Sequence, residues 1–199
     1  VLYYVPIGVC FIIISKLGES ETGTFVQKLE SLGLFAATVA TGLICHGYIV
    51  IPLIYFICTR KNPYAYIKGL AQPLLTALGT ASSAATLPIT MRAVKKLGVT
   101  PVIADFMLPF GATISMDGTA LYEGVAAIFI AQLTGKSLGA VDLITISITA
   151  TLAAIGAAGV PEAGLITISI VLTAVGLPLD NIGLLLTIDW FLDRLRTSV

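Results

Sequence analysis

Phe110 to Leu121 reads FGATISMDGTAL, and the meaning of the whole chain turns on it. One acid, Asp117, stands between apolar runs that otherwise read as membrane-spanning helix. A carboxylate at bilayer depth is costly unless a cation or a partner charge meets it, so such residues mark ion or substrate paths. Asp117 is therefore a candidate ion ligand. The neighbouring Gly111, Thr113, Ser115, Gly118 and Thr119 are small or hydroxylated. They suit a local unwinding in which backbone carbonyls turn inward onto a small cation. This stretch predicts transport.

The composition agrees with a bilayer setting. With 57% hydrophobic and 11% charged residues among 199 and a strongly positive mean hydropathy, the chain is too apolar for an ordinary soluble domain. The predicted fold class is an all-α membrane protein. Formal net charge is zero, and the basic residues sit in short loops rather than along one face, so no nucleic-acid partner is expected. Cys10, Cys45 and Cys58 lie inside apolar runs, without metal-ligand spacing and with no disulfide framework expected. The chain starts at Val1 without methionine and stops at Val199 just after a charged helical stretch, which reads as an incomplete chain.

Outward from Asp117, three kinds of segment alternate. Val1 to Ile14 is apolar and holds Pro6, most of a spanning helix or the end of one, and Ser15 to Ser31 is polar with both signs of charge, an expected aqueous loop. Gly33 to Cys58 contains no acid, Lys or Arg and exceeds the ~20 residues that cross the hydrocarbon. It closes on Arg60-Lys61, and Lys68, Arg92, Lys95 and Lys96 follow. By the positive-inside bias Arg60-Lys61 faces the cytoplasm.

Beyond Pro63 the apolar segments shorten and are interrupted by tiny residues. Leu74 to Leu78 runs into GTASSAATLP (Gly79 to Pro88), and Ile144 to Ile155 runs into GAAGVP (Gly156 to Pro161). Each break reads as the tip of a helical hairpin that dips into the membrane and turns back, and a pair of such breaks points to a binding site at the midplane. The competing reading is close helix packing through small residues. In the last helix Asp189, Asp193 and Arg196 are spaced i, i+4 and i+7 and share one stripe. The plain alternative is a solvated surface pair, but the surroundings are apolar. His46, alone in an apolar span, is either a proton shuttle or a ring whose nitrogens bond nearby backbone or hydroxyl groups.

Four motifs then resemble one family. TASSAATLPIT (Thr80 to Thr90), LPFGATISMDGTALYE (Leu108 to Glu123), IGAAGVPEAG (Ile155 to Gly164) and DWFLDRLRT (Asp189 to Thr197) are similar, in order, to those of the dicarboxylate/amino acid:cation symporters, nearest in wording to the eukaryotic acidic amino acid transporters. The resemblance implies helices at 1–61 flanking a transport-domain core at 62–199. That core would hold hairpin one at 63–95, an unwound helix at 103–134, hairpin two at 139–176 and a last helix at 179–199. It also implies a multi-pass plasma-membrane protein, a homotrimer, and sodium-coupled uptake of glutamate or aspartate by an elevator-type movement. Protons, potassium and a side conductance for chloride belong to the same expectation, and no cofactor does.

Site roles follow from the resemblance position by position. Arg196 would hold the substrate's side-chain carboxylate through two parallel charged hydrogen bonds, and Asp193 its amino group, with Thr119 and Thr197 adding hydroxyls. Backbone near Ser82, Ser83 and Val160 would close the site. Sodium would use Asp117 with carbonyls of Gly111 and Ser115 at one pair of sites, and carbonyls of Thr113, Ala154, Ile155 and Ala157 at another. Glu123 would carry the proton one way and return with potassium in its place. Ser115 stands where the family usually has Asn, which is expected to weaken or rearrange a sodium site. Pro73 lies within a hairpin helix and is expected to bend or locally open it by removing one backbone donor. The rivals are a neutral amino acid exchanger of the same family, a channel, and a membrane aspartyl protease using Asp117 and Asp189, which would need a Gly-x-Gly-Asp motif that the sequence lacks.

Overall fold

The computed structural model of the chain describes residues 22–160 and 163–199. Val1–Ile14 with Cys10, and Pro161 of the second break, lie outside the described residues. Every regular element described is helical, so the chain is all-α there. Two stretches, Glu30–Thr59 and Pro101–Leu133, are long and apolar enough to cross a membrane.

Helix α1 (Thr22–Cys45) passes through one π-helical turn, His46–Val50, into α2 (Ile51–Thr59). It starts nine residues earlier in the chain than Ser31, so part of the polar stretch expected as a loop is helix. Charged and polar residues do not break a helix when water can solvate them. Arg60 ends the rod in the left-handed region at φ 57°, with its N–H on the Phe56 carbonyl at 2.8 Å.

The first hairpin begins where the Asn62 side chain accepts from the Tyr64 N–H at 3.0 Å and Pro63 opens the helix, both standard start signals. Helices α3 (Pro63–Gly69) and α4 (Ala71–Thr80) are separated at Leu70. Pro73 follows a local opening of the helix at Leu70, as expected. It occupies the first turn of α4, where its missing N–H has no intrahelical carbonyl to reach, so the proline is accommodated. After a tip at Ala81-Ser82 the chain returns as α5 (Ser83–Lys96), capped by the Ser82 hydroxyl on the Ala85 N–H at 3.2 Å.

Helix α6 (Pro101–Ile114) stops at Ser115-Met116, and α7 (Asp117–Leu133) restarts with Asp117 in its first turn. The break is two residues wide, narrower than the stretch from 111 to 119 in which unwinding was expected. Helices α8 (Ala140–Ile155) and α9 (Gly164–Ala174) form the second hairpin, and α10 (Ile182–Ser198) closes the chain.

Packing explains the arrangement. Helix α7 is buried on most sides, with Tyr122, Ala126, Ala127, Ile130 and Ala131 at 0% exposure, because it touches α1, α8, α9 and α10 together. Its run of alanines lets those neighbours approach closely. Ile168, Val171 and Leu172 of α9, Leu185 and Leu192 of α10, and Val39 and Leu43 of α1 fill the same core. Helix α10 contacts α4 of the first hairpin and α9 of the second, so its polar stripe lies where both hairpins can reach it.

Candidate substrate and ion site

The stripe on α10 is buried. Asp189, Asp193 and Arg196 are 1%, 5% and 5% exposed, which excludes a solvated surface pair. Arg196 Nε donates to Asp193 Oδ1 at 2.8 Å, and Nη1 donates to Asp189 Oδ1 at 3.1 Å. The guanidinium also lies 4.5 Å from the centroid of the Tyr122 ring, a cation–π contact. Two carboxylates and one guanidinium thus share a site taken out of water, where loss of one partner is costly. Nη2 of Arg196 and Oδ2 of Asp189 have no hydrogen-bond partner among the described residues.

Two glycines make room for this cluster. A Cβ on Gly118 would stand 2.6 Å from the Arg196 carbonyl, and one on Gly164 would stand 2.7 Å from Arg196 Nη1. Helices α7 and α9 therefore approach α10 closely because these positions carry no side chain.

A cleft opens beside the cluster. Ser83, Ser115, Asp117, Thr119, Val160, Asp193, Arg196 and Thr197 all line it, so eight of the predicted site residues converge from four separate parts of the chain. The hairpin tips meet over it. Ser82 Oγ donates to the Gly159 carbonyl at 2.8 Å, and the Ala84 N–H reaches the same carbonyl at 3.2 Å. Ser82 itself is buried and serves this contact rather than the cleft surface.

The other predicted ion residues lie elsewhere. Gly111 lines an adjacent cavity bounded by Pro73, Leu74, Thr86 and Thr197. The Thr113 hydroxyl is turned back onto the Phe110 carbonyl at 3.1 Å. Ala154 and Ala157 are buried at the end of α8, where the Ala157 N–H bonds the Ala154 carbonyl at 3.2 Å, while Ile155 is exposed. None of these five lines the cleft, although α6 and α8 touch. Asp117 begins α7, and its Oδ2 lies 3.3 Å from His46 Nε2. The ring of His46 thus meets a carboxylate, a partner neither sequence reading considered.

Glu123 is fully buried on α7, and the Thr167 hydroxyl of α9 donates to its Oε1. Sequence reasoning missed Thr167, Tyr122, Gly164 and His46 as site residues. It also missed Arg194, whose Nη1 donates to the Gly79 carbonyl at 2.6 Å and so ties α10 to the first hairpin. The DRLRT motif itself contained that last signal.

Known proteins identify the family. The chain is 54% identical over 199 residues to human excitatory amino acid transporter 1, all of this chain and 36% of the relative. It is 56% identical over 200 residues to mouse excitatory amino acid transporter 3, and 52% to mouse excitatory amino acid transporter 2, all of this chain against 38% and 35% of theirs. It therefore spans little more than a third of the length of the relatives it matches. The model of the sodium:dicarboxylate symporter family matches residues 1–199. That family consists of membrane symporters rather than enzymes, and the aspartyl protease reading falls with it. The chain belongs to the sodium:dicarboxylate symporter family.

Proposed function

We propose that the full-length protein takes up glutamate or aspartate across the plasma membrane, coupled to sodium, with residues 62–199 as the core of its moving domain. The observation that supports this most is the buried Asp189–Arg196–Asp193 cluster on the wall of the cleft. Arg196 and Asp193 satisfy each other in this structure. An acidic amino acid brings a replacement for each: its side-chain carboxylate replaces Asp193 on Arg196, and its ammonium replaces Arg196 on Asp193. A neutral amino acid offers only the second exchange and would leave the buried guanidinium with Asp189 alone, one partner short, which is costly. Arg196 is the residue that selects for charge. Thr119 and Thr197 add hydroxyls, and backbone near Ser82, Ser83 and Val160 covers the substrate.

Sodium enters this scheme as cargo and coupling ion. Asp117 with carbonyls of Gly111 and Ser115 serves one pair of sites, and carbonyls of Thr113, Ala154, Ile155 and Ala157 serve another once hairpin two has moved. Oxygen-only ligation suits a hard monovalent cation. Hairpin two is the gate, since its Gly- and Ala-rich tip hinges at little steric cost. Glu123 carries the proton and is released by potassium on the return. The moving domain travels as a rigid body against a trimeric scaffold, and chloride passes as a side conductance.

The test is uptake into vesicles that contain the full-length protein. Labelled aspartate or glutamate should accumulate saturably under an inward sodium gradient and not under an equal lithium or choline gradient. Uptake that ignores sodium, or that favours a neutral amino acid such as serine, contradicts the reading.

A further inference from the structure

Glu123 and Thr167 meet inside the interface between α7 and α9, 0% and 6% exposed. The Thr167 hydroxyl donates to Glu123 Oε1, and it also lies 3.1 Å from the carbonyl of Gly164. A hydroxyl has one hydrogen and two lone pairs, so it serves one acceptor fully at a time. Gly164 in turn is the residue whose absent side chain makes room for the Arg196 guanidinium. A polar line therefore runs from Glu123 through Thr167 to the Gly164 carbonyl at the start of α9, and ends beside the substrate clamp.

We propose that Thr167 is a positioning residue that passes the protonation state of Glu123 to the first turn of hairpin two's return helix. With Glu123 ionised, the Thr167 hydrogen points to Oε1. With Glu123 protonated, the acid donates to Thr167 Oγ1 and the threonine hydrogen turns to the Gly164 carbonyl. No proton leaves Glu123 in this step; the Glu123–Thr167 hydrogen bond reverses, and the Thr167 hydrogen passes from Oε1 to the Gly164 carbonyl. In that state the proton sits on Oε1, facing Thr167, while Oε2 is buried without a hydrogen-bond partner among the described residues.

Few other charges can act on this carboxyl. From α10 the charge is that of Arg196, itself paired with Asp189 and Asp193. Helix α9 has no titratable side chain. Helix α8 has only Asp142, bonded to the Gly139 N–H at 2.9 Å, and α1 has only Lys28, Glu30 and Cys45. His46, in the π turn, meets Asp117 instead.

The inference rests on the reading of Glu123 as the coupling group, and the experiment separates the two. In the full-length protein Thr167→Val keeps the shape and removes the hydroxyl, while Thr167→Ser keeps the hydroxyl. Homo-exchange of labelled aspartate and net uptake driven by internal potassium chloride are each measured across a series of external pH. Thr167→Val should lower potassium-driven net uptake about tenfold, the worth of one hydrogen bond to a charged group, and leave exchange within about twofold. Thr167→Ser should keep both. In a Glu123→Gln background Thr167→Val should add no further loss, because the two residues act as one unit. Net uptake and exchange falling together in Thr167→Val, or losses that multiply in the double variant, overturn the proposal. If Glu123→Gln keeps potassium-driven net uptake, the Glu123 reading fails and the relay with it. If only Thr167→Val keeps it, the relay alone is wrong. Should Thr167→Val not reach the membrane, Thr167→Ala is judged by the same criteria.

Discussion

The Ser82 hydroxyl at the tip of the first hairpin donates to the Gly159 carbonyl at the tip of the second, at 2.8 Å across 77 positions of sequence. The same oxygen caps α5 through the Ala85 N–H. One side chain therefore ends a helix and fastens the two hairpins over the cleft. Ser82→Ala removes both bonds at about 1 kcal/mol each. Distances between spectroscopic labels at Ser83 and Ala157, taken without sodium or substrate, should broaden toward larger values in this variant. An unchanged distribution would mean that the tips are held together by something else.

Gly164→Ala places a methyl group 2.7 Å from Arg196 Nη1. The guanidinium must move, and overpacking of this kind costs about 1–3 kcal/mol. Affinity for aspartate should drop roughly tenfold or more, while sodium dependence is kept. Titration of substrate-evoked uptake at saturating sodium measures this. Full affinity in the alanine variant would show that Arg196 does not need its present position.

Asp117→Asn keeps the shape of the residue that opens α7 and removes its charge. The sodium concentration for half-maximal uptake should rise roughly tenfold or more, since a carboxylate facing a cation is exchanged for a neutral amide. Maximal uptake at very high sodium should recover in part. A variant with unchanged sodium dependence removes Asp117 from the ion path.

Lys136 offers a contrasting case. Its Nζ donates to the Val175 carbonyl at 2.5 Å and caps the end of α9, far from the cleft. Lys136→Met should cost about 1 kcal/mol of thermal stability and leave substrate and sodium affinities alone. A change in either affinity would mean that the base of the second hairpin feeds into binding.

The parts of this fold that sequence made legible are those with a local chemical cause. The Ser-Ser-Ala and Gly-Ala-Ala-Gly runs mark the tips because small residues tolerate a sharp turn, and Asp117 marks the broken helix because a charge needs a reason to be there. The spacing of Asp189, Asp193 and Arg196 made the stripe readable from one helix alone. What stayed hidden depends on contacts between distant segments. His46 and Asp117 are 71 positions apart, and a π turn at His46–Val50 leaves no compositional trace. Thr167 looks like any helix threonine until Glu123 is seen against it, 44 positions away. Pro73 was legible for a local reason, because a proline removes one backbone donor and so marks where a helix opens, here at Leu70.

The central claim is that Arg196, held between Asp189 and Asp193, makes the site selective for a substrate with an extra carboxylate. The most direct measurement is sodium-driven uptake of labelled aspartate and of labelled serine by Arg196→Cys in the full-length protein, beside the unaltered protein. The account predicts that aspartate uptake is lost, by roughly a hundredfold or more given the cost of removing one partner from a buried pair, while serine uptake appears or rises. Aspartate uptake with unchanged affinity in Arg196→Cys would contradict it.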